Sequence, residues 1–165
     1  MSKIARSLVV LTGVLTFTFA NAQHAELMNK ADPLPGVTTA GQPDQAALKD
    51  LADAGYVAVI DLRAPNENRG FDEKQAVEGL GMSYLPLPIN GGKDITYENA
   101  SALDKLLAGI DGPVLLHCAS SNRVGALLAL RDKMKGASTE EALTLGDSAG
   151  LKSLRPIVEE QLGKE

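Results

Sequence analysis

One cysteine, two histidines and no tryptophan are all that the 165-residue chain holds of those types. A lone Cys118 excludes an internal disulfide. Two distant histidines, His24 and His117, with one cysteine do not make a zinc site, so neither metal nor cofactor is expected. Three Phe and three Tyr offer no stacking platform. The net charge of −5, with no cluster of Lys or Arg, argues against nucleic acid as a partner. Apolar runs long enough to span a bilayer are missing as well. The longest, Leu8 to Ala20, covers roughly 13 residues, against the ~20 that a spanning helix needs.

That run has a different meaning. Lys3 and Arg6 precede it, and Ala20-Asn21-Ala22 follows it with small residues at the two positions a signal peptidase reads. Residues 1–22 are therefore expected to be a signal peptide, which makes the protein exported, periplasmic or secreted, with no membrane contact after cleavage. The 143 residues that follow are the size of one domain, and a hydrophobic content of 44% can fill its core. Residues 23–36 read as an irregular N-terminal arm or short helix, ending in the turn-forming Asp32-Pro33-Leu34-Pro35-Gly36. Residues 37–165 read as the folded domain.

Within the domain, strand and helix signals alternate. Val37–Ala40 reads as a short strand, and Asp44–Ala54 as a helix with Ala47, Leu48, Leu51 and Ala54 at helical spacing. Tyr56–Leu62 is a β-branched apolar run that suits a strand covered on both faces. A charged loop from Arg63 to Phe71 leads to a helix over Asp72–Leu80, then a strand over Met82–Leu87. Thr96 caps a helix reaching Leu107, and Val114–His117 is a further strand. Val124–Met134 is a strongly apolar helix. Ser138-Thr139-Glu140-Glu141 is a capping box, and Ser153–Leu162 closes the chain. The alternation predicts an α/β single domain with a central, mainly parallel sheet flanked by helices. Ligands of such sheets sit beyond the carboxyl ends of strands.

The strand end with most chemistry is His117-Cys118-Ala119-Ser120-Ser121-Asn122-Arg123. A tight strand-to-helix loop turns successive N–H groups toward one point, and the helix N-terminus adds partial positive charge there. Such a loop takes a tetrahedral anion through Ala119, Ser120, Ser121 and Asn122. A thiol at its floor is pulled toward thiolate. Arg123, in the first helical turn, offers a planar fork for two anion oxygens. The competing reading is a capped helix after a strand that happens to hold a buried cysteine. That reading accounts for the Ser, Ser and Asn, and leaves the bracketing Cys and Arg unexplained. His117, by strand alternation, points away from Cys118 and reads as a scaffold residue.

The His-Cys-x-x-x-x-Arg loop resembles those of cysteine phosphatases and rhodaneses. Together with Thr39-Ala40-Gly41-Gln42-Pro43, Gly55 to Arg63 (GYVAVIDLR) and Gly81 to Ile89 (GMSYLPLPI), it resembles the beta-lactamase-hydrolase-like family of phosphatase-like domains, from about Val37 to Lys135. That family is related to dual-specificity phosphatases. The resemblance implies a metal-independent hydrolase with Cys118 as nucleophile, Arg123 as oxyanion binder, and a small anionic substrate or phosphoprotein as partner. It also implies a general acid after the third strand, where Asp94 is the candidate; a solvated helix-start role is the alternative. Arg63, at the end of its strand, is expected to add positive potential at the rim, unless it serves Asp61 structurally. The chain departs from tyrosine phosphatases in three ways. It has four residues between Cys and Arg where they have five, no glycine in the loop, and Val124 where Ser or Thr is usual. Four residues is a rhodanese interval, so persulfide transfer is the second expectation. A non-catalytic anion-binding or redox-sensing module is the third.

Overall fold

In the computed structural model, residues 26–164 are described; the expected signal peptide and the start of the arm lie outside them. Five strands form one sheet: β1 (Ala31–Leu34), β2 (Val37–Ala40), β3 (Ala58–Asp61), β4 (Ser83–Pro86) and β5 (Val114–His117), in the order β1-β2-β5-β3-β4. All neighbours run parallel except β1, which pairs antiparallel with β2. The arm thus differs from the expectation of an irregular segment or helix. Its second half folds back across Pro35-Gly36, with Leu34 opposite Val37, and becomes an edge strand.

Six helices cover the sheet: α1 (Gln45–Asp53), α2 (Glu73–Gly79), α3 (Tyr97–Ala108), α4 (Asn122–Met134), α5 (Thr139–Ser148) and α6 (Arg155–Leu162). Alternation along the strands sends Val59, Leu115 and Ala40 to the α1–α2 side, where they meet Leu48, Leu51 and Val77. Ile60, Leu62, Leu116 and Cys118 face the larger core, built with α3 to α6. Helix α4 is buried continuously from Val124 to Leu130, which explains a sequence that is apolar all round rather than on one stripe. Its tight fit depends on Gly125. A Cβ there would lie 2.4 Å from Leu151 N and 2.5 Å from Gly146 O.

The parallel register places Ala40, Asp61 and His117 side by side at the carboxyl ends of β2, β3 and β5. The loops leaving those residues form the rim on which the site is built.

Candidate active site

Cys118 follows β5 directly and is 1% exposed, at the end of the larger core. Ala119 and Ser120 beside it are exposed. The loop is held from outside through its carbonyls. Gln42 N donates to Ala119 O (3.3 Å), and Asn29 Nδ2 donates to Ser120 O (3.1 Å). Gly41 permits this approach: a Cβ on it would lie 3.0 Å from Ala119 O and 2.8 Å from the Met28 methyl. Among the described residues, the N–H groups of Ala119, Ser120, Asn122 and Arg123 donate to no protein acceptor. They are the donors that an anion at a helix N-terminus requires.

The glycine-free loop turns at Ser121, which takes φ +68° in the left-handed region. Asn122, of a residue type that tolerates left-handed backbone, is instead the first residue of α4. A non-glycine residue at positive φ costs of order 1–3 kcal/mol and persists only where its surroundings fix it. Here Ser121 is fully buried, its Oγ donates to Ala149 O (2.8 Å), and Gly150 packs against it so closely that a Cβ there would lie 2.7 Å from Ser121 Cβ. Asn122 faces the same segment. Its Oδ1 accepts from Lys152 N (2.8 Å) and Leu154 N (3.4 Å), and its Nδ2 donates to Ser153 Oγ (2.7 Å). Both side chains, expected to shape the loop or bond the anion, are committed to the α5–α6 connection.

Arg123 is oriented by a residue that the sequence reading missed. Its Nη1 donates to Glu67 Oε1 (2.6 Å) and Ile89 O (2.9 Å), and its Nη2 to Glu67 Oε2 (2.7 Å). Of five guanidinium N–H groups these use three. Nε and one Nη2 hydrogen are left over, and together they make a two-pronged edge. The Cys118 sulfur interacts with this guanidinium. The bond to Arg123 holds the Glu67 carboxyl at a pKa of about 2, against an opposing effect of burial, with help from Ala64 N–H. Glu67 is 56 residues from Arg123 in sequence, in the charged loop after β3. The available signal was a carboxylate in a rim loop close to the end of a strand.

The other expected site residues have partners of their own. Arg63 is 2% exposed rather than open on the rim. Its Nη2 donates to Asn68 O, and its Nε lies 3.7 Å from Glu67 Oε2. It braces Glu67 from behind. Asp94 accepts from Asn90 N (2.7 Å) and Asn90 Nδ2 (3.0 Å), bonds that lower its pKa. Gly92, two residues before Asp94, lies against α6. A Cβ on Gly92 would lie 2.2 Å from Ile157 Cδ1, so this loop is docked on α6.

Behind Cys118, on the α2 side, lies a buried polar cluster. His117 does face away from Cys118, with Nε2 2.7 Å from Glu73 Oε1 and 3.7 Å from Asp61 Oδ1. Asp61 Oδ1 accepts from Arg63 N (2.8 Å), the backbone interaction that was one of the expectations for it. Asp61 Oδ2 accepts from Arg69 Nε (2.9 Å), Arg69 Nη2 (2.8 Å) and Tyr84 OH (2.7 Å). Burial, then the bond to Asp61, pushes the Tyr84 hydroxyl pKa up. Donor atoms of Asp61, Glu73 and His117 converge within 4.8 Å. The Arg69 guanidinium supplies positive charge to this cluster, lying on Asp61 and 3.8 Å from Glu73.

Residues 34–134 match the profile of the beta-lactamase hydrolase-like protein, phosphatase-like domain. A beta-lactamase hydrolase-like protein of Xylella fastidiosa Temecula1 is 31% identical over 115 residues, which is 67% of this chain and 26% of that protein. Its counterpart in Agrobacterium fabrum is 32% identical over 104 residues, covering 61% and 24%. The chain thus spans about a quarter of the length of these curated relatives. Solved structures share the fold. The Siw14 catalytic core has a TM-score of 0.67 at 14% identity, covering 88% of this chain and 89% of that one. The Cys→Ser form of Pseudomonas aeruginosa TpbA in complex with pTyr has a TM-score of 0.61 at 18% identity, covering 89% and 92%.

Proposed function

Because this chain belongs to the phosphatase-like domain family of beta-lactamase hydrolase-like proteins, we propose that it hydrolyses phosphate esters through Cys118. The observation that carries the reading is the pairing of unspent loop amides with the Nε/Nη2 edge of Arg123 that Glu67 and Ile89 leave open, both beside one thiol. In the proposed reaction Cys118 Sγ attacks phosphorus and the ester oxygen leaves. The N–H groups and Arg123 hold the non-bridging oxygens, which gain charge in the transition state. Water then cleaves the phosphocysteine and releases phosphate. The pTyr bound by TpbA suggests phosphorylated side chains as one substrate class.

Neither candidate carboxyl is poised to donate a proton. Asp94 is tied to Asn90, and Glu67 is ionised on Arg123. Leaving groups that need little protonation, such as aryl oxides, are therefore favoured over alkyl alcohols. The same observation, with the four-residue loop, supports the second reading. Persulfide transfer from Cys118 to a thiol or cyanide requires no general acid.

Paired assays under reducing conditions test both, each with Cys118→Ser as control. Cysteine-dependent hydrolysis of an aryl phosphate supports the first reading. Cysteine-dependent thiocyanate from thiosulfate and cyanide replaces it with the second. Absence of both, with oxyanion binding kept, leaves the anion-binding module. We also propose export with cleavage after Ala22. N-terminal sequencing of the natural protein checks it, and an intact Met1 would refute it.

A further inference from the structure

We propose that Arg69 is a positioning residue for the oxyanion grip, acting on Arg123 through the loop 63–68 and Glu67. The inference rests on the reading of Cys118 and Arg123 as an anion site. It starts from a count of donors. All five N–H groups of the Arg69 guanidinium are used. Two bond Asp61 Oδ2, at 2.9 and 2.8 Å. The other three bond three carbonyls of one turn: Arg63 O at 3.2 Å, Ala64 O at 3.3 Å and Glu67 O at 3.1 Å. That turn is the one whose Glu67 side chain holds the Arg123 fork.

The anchor end is as fixed as the loop end. Asp61 is fully buried, and it also accepts from Tyr84 OH and Arg63 N. It lies opposite His117 in the β3–β5 ladder, one residue before Cys118. Arg69 therefore references the Glu67 loop to β3, the strand paired with the one that leads into Cys118. Without it the turn would keep its Glu67 N to Ala64 O bond (3.1 Å), the Glu67 cap on Ala64 N (2.7 Å), the Arg63 bonds to Asp61 Oδ1 and Asn68 O, and the Glu67–Arg123 pair, but would lose three carbonyl anchors at once.

A merely structural Arg69 would serve to neutralise Asp61, and a lysine does that equally well. The relay needs the planar fork, because one ammonium cannot reach Asp61 and three carbonyls together. Arg69→Lys separates the two roles, with folding checked by thermal melting. Two readouts apply: tungstate affinity by calorimetry, and titration of the Glu67 carboxyl by carbon-13 NMR. The relay predicts roughly 3- to 30-fold weaker tungstate binding in Arg69→Lys. It also predicts that Glu67 titrates well above the wild-type value of about 2. Adding Arg69→Lys to Glu67→Gln should weaken tungstate no further than Glu67→Gln alone.

Wild-type affinity and wild-type Glu67 titration in Arg69→Lys would overturn the inference, as would losses that multiply in the double variant. Should wild-type protein bind no tungstate, the anion-site reading fails, and the Glu67 titration alone decides the relay. If the lysine variant does not fold, wild-type protein still gives a test. Tungstate should slow hydrogen exchange at Arg69 Nε, although no anion touches it, and unchanged exchange refutes the coupling.

Discussion

Replacing Glu67 by Gln tests the electrostatics of the site without changing its shape. The Glu67 carboxyl titrates near 2 in the fold, against 4.5 for an unperturbed side chain, and its bond to Arg123 is the main cause. A shift of that size corresponds to an upper bound of ~3.4 kcal/mol of folding stability at neutral pH. Glu67 is partly exposed, so solvent screening reduces the expectation to about 1–2 kcal/mol. The sign follows from the depressed pKa. The contribution is fully present above about pH 4.5 and is lost as pH falls toward 2. At pH 3.5 the unfolded carboxyl is ~90% protonated and the folded one ~3%, so roughly 40% of the advantage has gone. Urea denaturation of wild type and Glu67→Gln at pH 7, 5 and 3.5 measures the gap. It should be equal at pH 7 and 5 and smaller at 3.5. A gap that stays constant down to pH 3.5, or no gap at any pH, would refute the ion-pair argument.

Other outcomes follow from the geometry. Arg123→Lys should lower oxyanion affinity by at least tenfold, because a point charge replaces a fork shared between Glu67 and the anion; unchanged affinity by calorimetry would show that the fork is not the contact. Gly125→Ala should destabilise the fold by about 1–3 kcal/mol, since its methyl would meet backbone of Gly146 and Leu151; an unchanged urea midpoint would contradict that close approach. Asn122→Ala removes three bonds to the α5–α6 connection and should cost about 1–3 kcal/mol while lowering kcat/KM for aryl phosphates, and wild-type values of both would release Asn122 from its clamping role. Asp94→Asn should leave the leaving-group dependence of aryl-phosphate hydrolysis unchanged, and a loss confined to poor leaving groups would restore Asp94 as the acid.

The central strands were legible because burial on both faces demands continuous apolar runs, and Val114–His117 and Ala58–Asp61 supply them. Strand β1 was not, since Asp32-Pro33-Leu34-Pro35-Gly36 carries turn chemistry. Its strand character comes from pairing with β2 at a sheet edge, where a proline can leave its nitrogen unpaired. Cys118 and Arg123 could be picked out because they lie on one loop. Glu67 could not, because it meets Arg123 only through the tertiary fold. The choice between a rim role and a structural role for Arg63 stayed open for a related reason. A strand-end position fixes the rim it belongs to, but not whether loop 63–70 closes over it. At Ser121 the local preference for Asn in left-handed backbone lost to a tertiary need, because Asn122 was wanted by the backbone of Lys152 and Leu154.

The clamp on the anion loop bears on when the site comes into being during synthesis. Every residue that would touch an anion has left the ribosome once Arg123 has emerged. The groups that hold Ser121 and Asn122, from Ala149 to Leu154, are made about thirty residues later. A chain that has not reached them carries the cysteine, the arginine and even Glu67, with nothing to hold a serine at φ +68°. Its cysteine sits in a loop whose turn at Ser121 is not yet held. The turn that shapes the loop beside Cys118 is thus secured last, by the connection between α5 and α6.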